Sequence, residues 1–169
     1  MAVSASAILR SLSEHGVRYI LIGGAALELH GSAYVTQDVD IVYQTAPENV
    51  ERLVRALAPY QPRLRVLSEP GGVPMIWDTK TILNGGNFTL LTSLGDVDVL
   101  ATVAPGWKFE DLERHAARYD VDGLAVDMLT LEGLLATKKA AGRAKDRLAI
   151  PEIEAMIEAR DARAHAGDE

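Results

Sequence analysis

Two stretches of this chain, Asp38-Val39-Asp40-Ile41 and Asp96-Val97-Asp98-Val99, alternate an acid with a β-branched apolar residue. Successive strand side chains point to opposite faces, so Asp38 and Asp40 lie on one face while Val39 and Ile41 point into a core. Two carboxylates side by side repel, and a fold accepts that arrangement most readily when a divalent cation bridges them. Upstream, the apolar run Tyr19-Ile20-Leu21-Ile22 meets Gly23-Gly24. Glycines between a strand and a helix let backbone N–H groups approach a phosphate, and the helix N-terminus behind them favours negative charge. Together these features predict a magnesium-dependent nucleotide site.

At 169 residues and 48% hydrophobic content, the chain has enough apolar material for one packed domain. It contains no cysteine, which excludes a disulfide scaffold, thiol catalysis and cysteine-ligated zinc, and is compatible with a cytoplasmic setting. His15, His30, His115 and His165 are scattered without ligand spacing and read as surface or helix-end residues. Met1–Ser6 lacks the pattern of a secretory leader, and no apolar run approaches the about 20 residues that span a bilayer. The formal net charge of −7 opposes non-specific nucleic-acid binding over the whole surface. A local basic group does exist, formed by Lys138, Lys139, Arg143, Lys145 and Arg147.

Periodicity and punctuation predict a helix over 3–15, a strand over 17–22, helical composition over 25–29 and an acid-bearing strand over 38–43. Thr45, Pro47 and Glu48 read as a capping box opening a helix whose stripe is Val50, Leu53, Val54 and Leu57. Residues 59–87, rich in Pro and Gly, predict a short strand over 64–67 with exposed loops or a hairpin arm. Strands over 88–91 and 97–103, a helix over 109–118 and a final strand over 124–128 follow. Thr130 caps a helix reaching Ala141, Gly142 interrupts, and Pro151 opens a last helix carrying Ile153, Met156 and Ile157. Residues 1–128 form an α/β core and 129–169 C-terminal helices packed on it, as one compact domain; residues 167–169 are expected to fray.

Nucleotidyl transfer needs in-line attack at the α-phosphorus, and two metal ions about 4 Å apart can stabilise both the attacking and the leaving oxygen. Magnesium takes oxygen ligands at about 2.1 Å, which a pair of same-face aspartates and a third on a neighbouring strand can supply. Asp38 and Asp40 are the expected holders of two Mg²⁺ ions, and Asp98 completes the inner site and draws the acceptor proton. Asp96, on the same face, is the second choice.

With Gly23-Gly24, Thr36-x-Asp38-x-Asp40 and Val97-Asp98-Val99, the chain resembles the nucleotidyltransferase superfamily of the DNA polymerase β type. Leu134–Asp146 is similar to the small prokaryotic nucleotidyltransferases that include the AbiEii and MenT toxins. The resemblance implies a mixed β-sheet flanked by helices with a C-terminal helical segment. It also implies nucleotide binding by Gly23, Gly24, Thr36, Lys138, Arg143 and Asp146, the last three from a helix that closes over the nucleotide. Implied substrates are an NTP such as ATP and an acceptor, first a tRNA 3′ end, then a protein in a toxin–antitoxin setting with a cognate toxin or antitoxin partner. Gly24 stands where relatives often carry serine, and Tyr34 where they often carry arginine.

Other readings remain open at this level. An Asp-x-Asp pair also marks a solvated strand edge, Lys138 and Lys139 also fit a wet helix face, and Arg143 with Asp146 also fits a structural helix pair. Trp77 and Trp107 read as packing anchors, with Trp77, and more weakly Tyr34, as places where an acceptor stacks. The competing functions are an aminoglycoside-type small-molecule nucleotidyltransferase, a non-catalytic nucleotide-sensing or antitoxin module, and a metal-dependent phosphohydrolase. The last usually brings histidines to its site, and neither acid motif contains one.

Overall fold

The acid-bearing stretches are neighbouring strands in the middle of an eight-stranded mixed sheet. The computed structural model describes residues 3–33, 35, 36 and 38–166, with the backbone alone for 3, 4 and 145. The expectations for Tyr34, for the Lys145 side chain and for the last three residues lie outside that description. In chain order the elements are α1 (Val3–Glu14), β1 (Tyr19–Ile22), α2 (Gly23–Leu29), β2 (Asp38–Tyr43), α3 (Pro47–Leu57), β3 (Arg63–Val66), β4 (Glu69–Pro74), α4 (Thr79–Leu83), β5 (Asn87–Thr92), β6 (Gly95–Leu100), α5 (Phe109–Glu113), β7 (Ala116–Val121), β8 (Leu124–Leu129), α6 (Leu131–Ala141) and α7 (Ala144–Ala166). The strand order is β4-β3-β5-β6-β2-β1-β8-β7. β2 runs parallel to β6 and β1 parallel to β8, and the other neighbours are antiparallel.

The alternation predicted for β2 and β6 decides which face is covered. Val39, Ile41, Val97 and Val99 are fully buried, as are Leu9 and Leu12 of α1 and Leu53 and Leu57 of α3. Each such side chain removed from water contributes about 1.5–3 kcal/mol. Ser11 Oγ donates to the Ala56 carbonyl at 2.8 Å, tying α1 to α3 across this layer.

Several boundaries depart from expectation for local reasons. The Thr45 cap does not form: α3 begins from extended Ala46, with no side-chain cap, and Pro47 at its start. Asn49 instead organises this corner, donating Nδ2 to the carbonyls of Arg18 (2.9 Å) and Gln44 (2.8 Å) and accepting from the Arg18 amide (2.7 Å). The helix expected over 109–118 stops at Glu113, and β7 follows, joined to β8 through left-handed Asp122 (φ 53°) and Gly123 (φ 80°). That Asp-Gly pair is a hairpin signal. The short α4, capped by Asp78 Oδ1 accepting from the Thr81 amide at 2.7 Å, lies in the stretch predicted as loop. Pro151 does not open the last helix but sits inside the 23-residue α7. Its downstream Ile153 is fully buried, and Met156 and Ile157 pack on the core as the pattern predicted.

Candidate active site

Register, which sequence periodicity cannot reveal, brings the acids together. In the parallel β2–β6 pair, Asp38 lies opposite Asp96 and Asp40 opposite Asp98, so four carboxylates share one face. On the other side of β2, Ile22 of β1 pairs with Asp40, which brings Gly23 beside that carboxylate. Gly23 holds φ +67°, and a Cβ there would overlap Asp40 Oδ2 and stand 2.9 Å from its Cγ. The glycine is thus required by the space the Asp40 carboxylate fills, a reason the sequence reading, which gave it a phosphate, did not contain. Gly24 is the second residue of the seven-residue α2. Thr36 Oγ1 accepts from the Asp38 amide at 3.3 Å and so shapes the entry of β2.

Asp98 is half-buried, and its pKa is raised. Burial is the largest cause, and the Asp38 charge adds to it; Arg65 and contacts with Thr89 and Asp40 pull the other way. Arg65 and Thr89 were absent from the expected site. Thr89 is placed by β5, where it pairs directly with Asp98. Arg65 reaches from β3 into the middle of the acids, its Nη1 donating to Asp38 Oδ2 (3.1 Å) and Asp96 Oδ2 (2.6 Å) and its Nη2 to Asp98 Oδ1 (3.1 Å). Burial opposes the charge of Arg65, but these hydrogen bonds and the Asp38 and Asp98 charges outweigh it and raise its pKa. A signal for Arg65 was present: a cation between Leu64 and Val66 on a strand, which alternation places on the face opposite theirs.

The donor set fits magnesium in chemistry, since it is all carboxylate oxygen on one face. In the described residues, however, no three acid or imidazole groups converge on a single metal position. Asp38, Asp96 and Asp98 are each turned to the guanidinium instead.

The C-terminal cluster also assembles. Asp146 is fully buried, and its carboxylate receives Lys138 Nζ (3.0 Å) and Arg143 Nε (2.5 Å). Burial disfavours its charge, but Arg143 and Lys138 more than compensate and lower its pKa. Arg143 has its pKa raised by Asp146 foremost, with a smaller contribution from the charge of Asp40. Asp146 therefore faces its two cations, of which Lys138 is 20% and Arg143 62% exposed. Lys139, by contrast, pairs with Glu154 at 2.8 Å on the exposed helix surface. Trp77 donates Nε1 to the Val54 carbonyl at 3.0 Å and packs on the core, as an anchor.

No family model and no curated protein matches the sequence. Among solved structures, the chain is similar to the lincosamide antibiotic adenylyltransferase LnuA in its lincomycin-bound form, with a TM-score of 0.60, 13% identity, and coverage of 92% of this chain and 98% of that one. It is also similar to an antigenic nucleotidyltransferase-like protein from Paracoccidioides brasiliensis, at a TM-score of 0.50 and 17% identity over 91% of this chain and 73% of that one. The fold is that of the nucleotidyltransferases. The mixed sheet, its flanking helices and the C-terminal helices of the sequence reading are all present. Among the described residues no helix is long and apolar enough to cross a membrane.

Proposed function

We propose that the chain is a magnesium-dependent nucleotidyltransferase that moves a nucleoside monophosphate from an NTP to an acceptor hydroxyl. The observation that carries this reading is the in-register pairing of Asp40 with Asp98 and of Asp38 with Asp96 on adjacent parallel strands of this fold. Asp38, Asp40 and Asp98 would hold magnesium, which supplies charge neutralisation at the triphosphate. The acceptor oxygen forms a bond to the α-phosphorus as the bond to pyrophosphate breaks. Asp98 would take the hydroxyl proton, as a carboxylate on the strand beside Asp38 and Asp40. Lys138 and Arg143, held by Asp146, offer cations to the phosphates.

For the acceptor, a small molecule is the leading reading. It is supported by the end-to-end correspondence with LnuA and by the net charge of −7, which suits a cationic compound better than a polyanion. The second reading, an RNA or protein acceptor with a toxin–antitoxin partner, rests on the likeness of Leu134–Asp146 to the AbiEii and MenT toxins.

The deciding experiment incubates purified protein with each α-labelled NTP, magnesium and, in separate reactions, lincosamides, aminoglycosides, total cellular RNA or lysate protein. Label is expected on a small molecule and lost, by at least a hundredfold, in Asp38→Ala and Asp98→Asn. Label on RNA or protein moves the acceptor to the second reading. NTP binding without label on anything leaves a sensor in place of an enzyme.

A further inference from the structure

The site holds four acids where the proposed metals need three, and an arginine stands among them. Arg65 hydrogen-bonds Asp38 Oδ2 and Asp98 Oδ1, which are oxygens the metals would require, and it makes its shortest contact, 2.6 Å, with Asp96. A guanidinium stays charged at any physiological pH, so it cannot share those oxygens with a divalent cation without strong repulsion. Its side chain is 28% exposed, which gives it a route outward. β3 also has a loose tether here: it pairs with β5 only at Arg63 and Leu64, and its register with β4 shifts between Leu64 and Val66.

We propose that Arg65 is a tethered counter-ion that occupies the acid cluster until a divalent metal displaces it from Asp38 and Asp98, with Asp96 as the partner that retains it. The inference rests on the nucleotidyltransferase reading for the identity of the metal-holding acids. It assigns Asp96 a purpose other than metal ligation, and it makes metal loading an exchange of one cation for another. Without metal, Arg65 relieves the repulsion among Asp38, Asp96 and Asp98. With metal, that relief is redundant, and Arg65 is free to turn to any anion at the mouth of the site.

The test is Mn²⁺ binding to nucleotide-free protein, read by the loss of the free-ion electron paramagnetic resonance signal, together with thermal melting in chelator and in saturating Mn²⁺. Arg65→Gln is expected to bind Mn²⁺ about tenfold more tightly than wild type. It should melt lower than wild type in chelator, and saturating metal should close that gap. Arg65→Lys, a compact ammonium that cannot bridge three carboxylates, should tighten binding about threefold and serves if the glutamine variant does not fold. Wild-type or weaker Mn²⁺ affinity in a cooperatively melting Arg65 variant overturns the proposal, as does an absence of Mn²⁺ binding in both proteins. The labelling assay then judges the enzyme reading separately, because transfer by wild type stands whether or not Arg65 is exchanged.

Discussion

A single missing methyl group shapes the site at Gly23. Any side chain there meets Asp40 and must also accept φ +67°. Gly23→Ala is expected to destabilise the protein by about 1–2 kcal/mol from the left-handed backbone alone, measured by urea unfolding. It should also cut transfer at least tenfold by pushing Asp40 off its position. Asp98 illustrates the opposite conflict, since burial and Asp38 raise its pKa above the ordinary carboxylate value. A raised carboxylate favours the fold below its unfolded pKa, and that contribution is lost as pH rises through the folded value. Asp98→Asn, neutral at every pH, should therefore unfold at an equal or higher urea midpoint than wild type at pH 7 without metal, an advantage that disappears in acid. A midpoint well below wild type would contradict the electrostatic account.

At the scale of elements, the α6–α7 elbow shows local and tertiary forces acting together. Thr130 Oγ1 accepts from the Gly133 amide at 3.1 Å to start α6, and Gly142 ends it in the left-handed conformation at φ 63°. Both were legible, because caps are written within three or four residues of the helix end. The burial of Asp146 was not, since it depends on how α7 returns over α6. Its lowered pKa stabilises the fold above the ordinary carboxylate value of about 4 and stops doing so as pH falls through the lower folded value. Asp146→Asn should lose about 2 kcal/mol at neutral pH and show a flatter acid-unfolding profile than wild type. Its KM for NTP should rise as Lys138 and Arg143 lose their shared anchor. The exposed Arg118–Asp127 pair on β7 and β8 offers a contrast, as disrupting it should leave the urea midpoint almost unchanged.

Across the whole molecule, the proposed ligands should be felt as stability. Mg²⁺ with NTP at a hundredfold excess over the dissociation constant should stabilise wild type by about 2.7 kcal/mol, seen as a rise in melting temperature that Asp38→Ala lacks. An equal rise in Asp38→Ala would place the nucleotide away from these acids. Much of the architecture behind this site was legible locally. The alternation in Asp38–Tyr43 specified a strand with one acidic and one buried face, and the Val50-Leu53-Leu57 stripe specified the helix that covers it. These are properties of near neighbours, carried by repeats of 2 and 3.6 residues. The short α4 escaped because five residues hold little periodic signal, and β7 because the helix expected from Phe109 was carried into it. What the sequence determined by itself is therefore which side chains share a face and where the chain turns. Only the tertiary structure decided that β2 and β6 lie parallel with Asp40 against Asp98, that Arg65 stands among the acids, and that Asp146 is sealed beneath Lys138 and Arg143. Register and enclosure are set by packing among segments far apart in the chain, and no local pattern records them.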